Sequence, residues 1–494
     1  MAAENTLKQF YSRLEEIYRL RSISGLLGWD QQVCMPENAA EGRADQQETL
    51  EKIIHQRFTD PAFTEILEQL SGDDHLSVDD KVNLREIKRQ LDRARKLPGS
   101  FVAEQARECS LAYVAWTKAR PESDFAAVSP HLERVLELAR REAELVGYEG
   151  SPYNALLDNY EPGARIEEVR PTLLKLAEEL KPLIQQVVSQ QEELVPLAGR
   201  YPEEQQAKLC ARIAADIGYD FKSGRLDKTH HPFESSVGPR DVRITTRYDT
   251  DNYISGVYTT LHETGHALYE QGLLLQHKGT PLGSAVSLGI HESQSRLWEN
   301  LIGRSLEFSE YLMRILPEYF PDEGRHITPE AIWKRVNRVT PSLIRVESDE
   351  VTYSLHVVIR MLLEEQLVTG QIKVTDLPEA WNEMYREYLG IVPVENRVGV
   401  LQDVHWYSGL IGYFPTYVLG NLYGAQMLKS AEAALPDLYT HISSGNFEAL
   451  RAWLRTNVHE HGMRYHGPEL IKRISGEALN SSYFTNYVKA KFNL

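Results

Sequence analysis

A mainly α-helical fold carrying one small β-hairpin is the architecture this sequence predicts, on two observations. Apolar residues recur at three- and four-residue intervals through most of the chain, with Glu, Lys and Arg between them, the pattern of helices that bury one stripe. Strict apolar–polar alternation, which marks a half-buried strand, is convincing in one stretch alone.

Taken in order, the helical pattern covers residues 5–20, 76–96, 101–119, 129–146, 166–195 and 203–217. Pro98-Gly99, Glu161-Pro162-Gly163 and the run from Gly199 to Pro202 punctuate it, since proline lacks the N–H a helix needs and glycine favours turns. The alternating stretch follows at 242–248, with a turn at 238–241 and an extended run at 232–237 before it, so a hairpin is expected there. Its outer strand offers backbone donors and acceptors to an extended peptide. A helix is expected next, with Ile254, Val257, Leu261, Gly265 and Leu268 at helical spacing and Asp251 or Asn252 as its cap. A second helix, 288–300, follows the glycine-containing loop 279–289, and a helical hairpin would lay it beside the first. The pattern resumes at 329–339, 350–368, 375–388 and 446–474.

Residues 407–428 carry no charge and are long enough to span a bilayer. Gly409, Gly412, Pro415, Asn421, Gly424 and Gln426 interrupt them, so they read as a buried helix pair, or a loop and helix, behind a functional site. No membrane span is expected. At 494 residues and 42% hydrophobic the chain can bury a large core, as one large domain or two or three ordinary ones; no clear linker divides it, and 1–494 is read as a single domain. A formal charge of -17 argues against nucleic acid as a partner. Cys34, Cys109 and Cys210 are odd in number and far apart, which suits isolated buried thiols in a reducing compartment. The first residues show no basic-then-apolar export signal, so a cytoplasmic location is expected.

The chemistry concentrates in His262-Glu263-Thr264-Gly265-His266. On a helix, four residues advance roughly 6 Å and return to nearly the same face. Both imidazoles can therefore reach one metal ion, with Glu263 placed to take a proton from water at that ion, the H-E-x-x-H arrangement of zinc peptidases. Such a pattern arises by accident in about one chain of this composition in twenty. Its place on an apolar helix raises its weight, because buried imidazoles and a carboxylate need a partner. A catalytic zinc takes three protein ligands. A third histidine at the metzincin spacing is absent, since Gly272 stands there. Glu270 lies too far along the same helix. On the next helix Glu292 is favoured, with His291 and Glu299 as rivals.

These residues belong to an ordered series of motifs. His231-Pro232-Phe233 reads H-P-F, Asp241 to Thr245 reads D-x-R-x-T, His262 to His266 reads H-E-x-x-H, and His291 to Gln294 reads H-E-S-Q. Ile344 to Asp349 reads I-R-x-x-A-D with Ser348 in place of alanine, and Gly399 to Trp406 reads G-x-x-Q-D-x-H-W. The chain thereby resembles the Taq-type metallocarboxypeptidases, peptidase family M32, over a length that suggests its whole extent. The resemblance implies a large helical zincin-like fold with a small hairpin or sheet beside a deep active-site cleft. It implies a lid from the helices of 1–75, a metal and substrate core in 230–420, and a homodimer. It assigns His262, His266 and Glu292 to the metal, zinc or cobalt, and Glu263 to catalysis.

The expected reaction is hydrolysis of the C-terminal peptide bond of peptides with a free C-terminus, releasing single amino acids. Family analogy and chemistry together offer His405 and Tyr417 as donors to the oxyanion, with Tyr413 the competitor of Tyr417. Arg345 suits the terminal carboxylate because a planar guanidinium binds it at two points. The competing role for Arg345 is an ion pair with Glu347 or Asp349. The alternative activity is an endo-acting oligopeptidase of a related helical zincin type.

Overall fold

The computed structural model describes residues 2–194, 199–238, 240–322, 324 and 327–494. Among these, helices dominate and one three-stranded sheet accompanies them. Helices Val78–Lys96, Gly99–Glu122, Phe125–Val146, Ile166–Gln190 and Glu203–Ile217 match the periodic stretches within a few residues. Ser77 starts the first of them with a reciprocal capping box to Asp80, satisfying two end donors at once. The first helix, Ala2–Val33, runs well past the expected end at 20. Ile166–Gln190 stops short of the expected 195, which itself lies outside the described residues.

One expected helix is broken. The stretch 446–474 is not one helix but Glu448–Asn457, a 3-10 segment His459–Arg464 and Gly467–Ser475. Gly462 adopts φ +51, and a Cβ there would lie 2.0 Å from the Leu282 carbonyl oxygen. Close passage of the 281–283 backbone therefore demands glycine and breaks the helix, while Pro468 starts the next.

The sheet has β1 (Leu226–Lys228), β2 (Glu234–Gly238) and β3 (Asp241–Thr246), in the order β1-β3-β2. β2 and β3 form the expected hairpin, antiparallel, with Glu234 opposite Ile244. β1 adds a short parallel strand that three residues of sequence could not announce. β2 is the sheet's edge, but the first helix lies along it: a Cβ on Gly25 would sit 3.7 Å from Ser236 O, and one on Gly238 3.1 Å from the Tyr18 hydroxyl. The edge expected to be open is thus partly covered.

Helices Tyr253–Gly272 and Leu288–Arg296 pack against each other as the expected hairpin. Glycine sets their approach, since a Cβ on Gly265 would meet the Gln294 carbonyl oxygen at 2.6 Å. Asn252 holds the N-cap position of the first, without a side-chain capping bond. On the far side, helix Pro415–Ala434 brings Gly420 against Glu292, where a Cβ would lie 2.6 Å from Cγ. The 407–428 segment is therefore a loop and helix, and among the described residues no helix is long and apolar enough to cross a membrane.

One large apolar cluster unites most helices, whereas Phe10, Leu14, Ile17, Phe58, Phe63, Leu67 and Leu91 belong to a separate N-terminal cluster. Polar and cation–π contacts tie that unit to the body: Arg89 pairs with Asp158 at 3.0 Å, and Trp29 lies 4.2 Å beneath the Arg243 guanidinium. All three cysteines are free; Cys210 is buried as expected, but Cys34 is exposed at the end of the first helix.

Candidate metal centre

His262 and His266 share a face of their helix, and Glu292 meets them from the neighbouring one. The donor atoms of the three lie within 4.8 Å of one another. Glu292 Oε2 is 3.8 Å from His262 Nε2 and 3.5 Å from His266 Nε2. Ligands at ~2.1 Å around a tetrahedral ion would stand ~3.4 Å apart, so two nitrogens and one carboxylate oxygen fit a divalent cation with a coordination position left for water.

The remaining polar atoms of these three side chains are held. Glu299 Oε2 lies 2.8 Å from His262 Nδ1, and the His291 carbonyl oxygen accepts from His266 Nδ1 at 3.1 Å, so both Nε2 atoms are turned to the centre. Arg296 Nε donates to Glu292 Oε1 at 2.6 Å and Ser295 Oγ to Oε2 at 3.1 Å. The two rivals of Glu292 thus do other work. Glu299, two helical turns on, orients a histidine; His291 stacks on His266 with ring centres 4.5 Å apart and pairs with Glu270 at 3.1 Å. Glu299→Gln is expected to weaken metal binding about 10–100-fold with the fold intact, as measured by competition with a chromogenic chelator.

Electrostatics follow the same geometry. Burial disfavours charge on His262, but Glu292 and Glu299 outweigh it and hold His262 up at about 9. His266, buried and beside His291, falls to about 3. Burial also opposes ionisation of Glu292, yet Arg296 and His262 keep its carboxyl well below the usual range. The metal-free cluster therefore holds a proton that a cation would displace. Glu263 is 6% exposed, and burial, aided by Glu292 and Glu299 against the pull of His262, pushes it up to about 7.

A cleft of about 290 Å³ opens over these groups, lined also by Pro232, Phe233, Glu234, Leu288, Tyr413, Thr416 and Tyr417. Tyr413 and Tyr417 both reach its wall, their ring centres 5.3 Å apart. His405 stands behind Tyr417, Nε2 3.3 Å from its hydroxyl. Burial, opposed by Asp403 and joined by Arg345 and Arg360, lowers His405 to about 4 and keeps the ring neutral.

Arg345 also lies behind the cleft, at 4% exposure, its guanidinium 5.1 Å over the Tyr417 ring. Its ion partner is Asp403, not Glu347 or Asp349: Nε and Nη2 donate to Oδ1 at 3.0 and 2.8 Å, and Nη1 donates to the Tyr353 hydroxyl at 3.0 Å. Asp403 also accepts from Arg360 Nε at 2.6 Å. Ser348, where the motif has alanine, donates to the Arg345 carbonyl oxygen at 2.6 Å. Sequence reasoning missed Arg296, Asp403 and Arg360 as organisers and Glu234 as a cleft residue. The spacing of Arg296, one turn beyond Glu292, was the available signal.

A helical fold that gathers two imidazoles, a carboxylate ligand and a second buried carboxylate at one cleft is that of a metal-dependent peptidase. The family model for the carboxypeptidase Taq (M32) metallopeptidases matches residues 9–492. Thermostable carboxypeptidase 1 of Thermus thermophilus is 44% identical, covering 98% of each chain, and that of Pyrococcus furiosus is 38% identical, covering 99% of this chain and 98% of its own. The crystal structure of the M32 carboxypeptidase from Deinococcus radiodurans R1 superposes with a TM-score of 0.97 at 38% identity, covering 99% of both chains. The chain belongs to the M32 carboxypeptidase family and is a metallocarboxypeptidase.

Proposed function

We propose that the protein removes single C-terminal residues from peptides through the cleft formed by His262, His266, Glu292 and Glu263. The observation that carries this reading is the convergence of three ligand atoms within 4.8 Å, beside a buried carboxylate that no arginine or lysine pairs among the described residues. His262, His266 and Glu292 hold the cation; zinc and cobalt both suit this set, and we take zinc as the occupant. When bound, the ion supplies Lewis acidity, making water a better acid and a carbonyl a better electrophile. Glu263 takes the proton of the attacking water and returns it to the leaving amine, a shuttle suited to a buried carboxylate with no lysine or arginine partner among the described residues. The Tyr417 hydroxyl donates to the oxygen that becomes negative, and His405 behind it fixes that hydroxyl. Tyr413 shares the wall and is the second donor.

Arg345 is the group for the substrate's terminal carboxylate. Three of its five N–H donors are engaged by Asp403 and Tyr353, so it offers the carboxylate its two remaining donors instead of an empty fork. Arg345→Met, with its metal content unchanged, is expected to lose about 100-fold in kcat/KM on free-acid peptides and far less on amidated ones. Equal losses would remove the assignment.

The experiment that tests the activity is incubation with a free and an amidated form of one peptide, with and without chelator, read by mass spectrometry. Serial loss of terminal residues from the free acid alone, abolished by chelator, is the expected result; internal cuts in both forms would establish the endo-acting oligopeptidase instead. Residues 1–494 act in this reading as one catalytic domain, with the N-terminal helices as a lid whose own apolar cluster supports its moving as a unit. A cytoplasmic homodimer completes the proposal, supported by three unpaired thiols for the location and by family resemblance for the dimer.

A further inference from the structure

One carboxylate on the cleft wall has no part in that scheme. Glu234, the first residue of β2, lines the same cleft as His262, Glu263, His266 and Glu292. Its side chain accepts a neutral hydrogen bond, from Ser236 Oγ to Oε1 at 2.9 Å, and among the described residues it makes no ion pair. Its surroundings are acidic. Glu270 and Glu263 both repel it, and His291, the nearest compensating ring, is committed to Glu270 at 3.1 Å. Burial, with Glu270 adding to it and His291 opposing, pushes Glu234 up to about 8. No lysine or arginine lines this cleft among the described residues.

A half-buried carboxylate among other carboxylates is costly to ionise, and it either keeps its proton or takes a cation that reaches it. A purely structural role is poorly served by the charge, because a glutamine would accept the Ser236 bond equally well. The proposed metal answers His262, His266 and Glu292, and no side chain among the described residues answers Glu234, so a cation for it would come with the substrate that enters this cleft. The formal charge of -17 acts in the same direction, since it raises the local concentration of cationic peptides.

We propose that Glu234 is the specificity determinant of this cleft, receiving the ammonium or guanidinium of a Lys or Arg side chain next to the scissile bond, so that basic peptides are the preferred substrates. The inference rests on the carboxypeptidase reading for its chemistry, but the pocket can be tested apart from it.

The metal-loaded enzyme is given N-acylated peptides ending in Ala-Arg, Ala-Lys or Ala-Leu, and in Arg-Ala or Leu-Ala. A kcat/KM ratio of about tenfold or more for the basic over the leucine peptide, at one of the two positions, is expected from a half-buried charge pair. Glu234→Gln should collapse that ratio to near one through KM, and Glu234→Lys should turn the preference toward glutamate at that same position. A ratio near one in the unaltered enzyme, or one unchanged by Glu234→Gln, overturns the proposal. Calorimetric binding of the Arg and Leu peptides to metal-loaded Glu263→Gln separates the two readings. Tighter binding of the Arg peptide that vanishes when Glu234→Gln is added upholds the pocket even where no peptide is cleaved, and equal binding of both removes it even where cleavage is seen.

Discussion

Glu263→Gln is expected to lower kcat by roughly 10³-fold while leaving metal uptake stoichiometric, because glutamine keeps the shape of the side chain and cannot take a proton. The buried position of Glu263 makes this test clean. At 6% exposure beside both ligand rings, it has no lysine or arginine partner among the described residues, so its loss strands no opposite charge. Glutamine also removes a carboxylate whose charge burial, Glu292 and Glu299 oppose and His262 favours, so the variant should fold with a stability close to the parent's. Steady-state kinetics together with metal titration check both halves. Activity within tenfold of the parent would mean that another group accepts the proton.

Glu292→Ala should do more damage, and of two kinds. The first is loss of the metal. With one oxygen ligand gone, His262 and His266 remain as a pair, and equimolar uptake by elemental analysis is expected to disappear, with activity following it. The second is loss of stability. Arg296 pairs with Glu292 at 2.6 Å with both side chains nearly buried, and truncation leaves its guanidinium with Glu299 at 3.3 Å as its remaining acid. Breaking a buried pair by removing one partner costs about 3–5 kcal/mol, less here for the share Glu299 retains. Denaturant unfolding of the metal-free parent and variant isolates this term, since neither then gains from bound metal. Glu292→Gln keeps a hydrogen bond to Arg296, so it should lose the metal with a smaller stability cost. Equal metal uptake by parent and Glu292→Ala would dismantle the centre as described.

The cleft ties the two variants to the fold. Glu292 is pressed from one side by the His262 helix and from the other by helix Pro415–Ala434, and both approaches use glycine, Gly265 and Gly420. A methyl group at either position would collide with the ligand helix, at its Gln294 carbonyl in one case and at the Glu292 side chain in the other. The same close packing buries Arg296 against the Tyr353 ring, 4.4 Å away, and so gives the ligand carboxylate its fixed orientation.

Sequence alone determined what repeats along the chain. Helical periodicity depends on which residues lie three and four positions apart, and it placed most helices, the hairpin and the His262–His266 pair within a few residues. The motif series settled the family before any coordinate. Where local pattern misled, a distant contact was responsible: 446–474 keeps its period, yet Gly462 must pass the Leu282 backbone and the helix breaks there. Tertiary structure alone decided which carboxylate faces the centre and what each remaining polar group does. Helix rotation and the depth of packing turned Glu292 Oε2 toward Nε2 and Glu299 Oε2 toward Nδ1, a choice that spacing leaves open because both residues face the same neighbour. It also set Asp403 across from Arg345, which lies far from it in sequence, and left Glu234 beside Glu270 with no cation. Such pairings arise from distances across the chain, and the energies that fix them act through space, where the order of residues has no say.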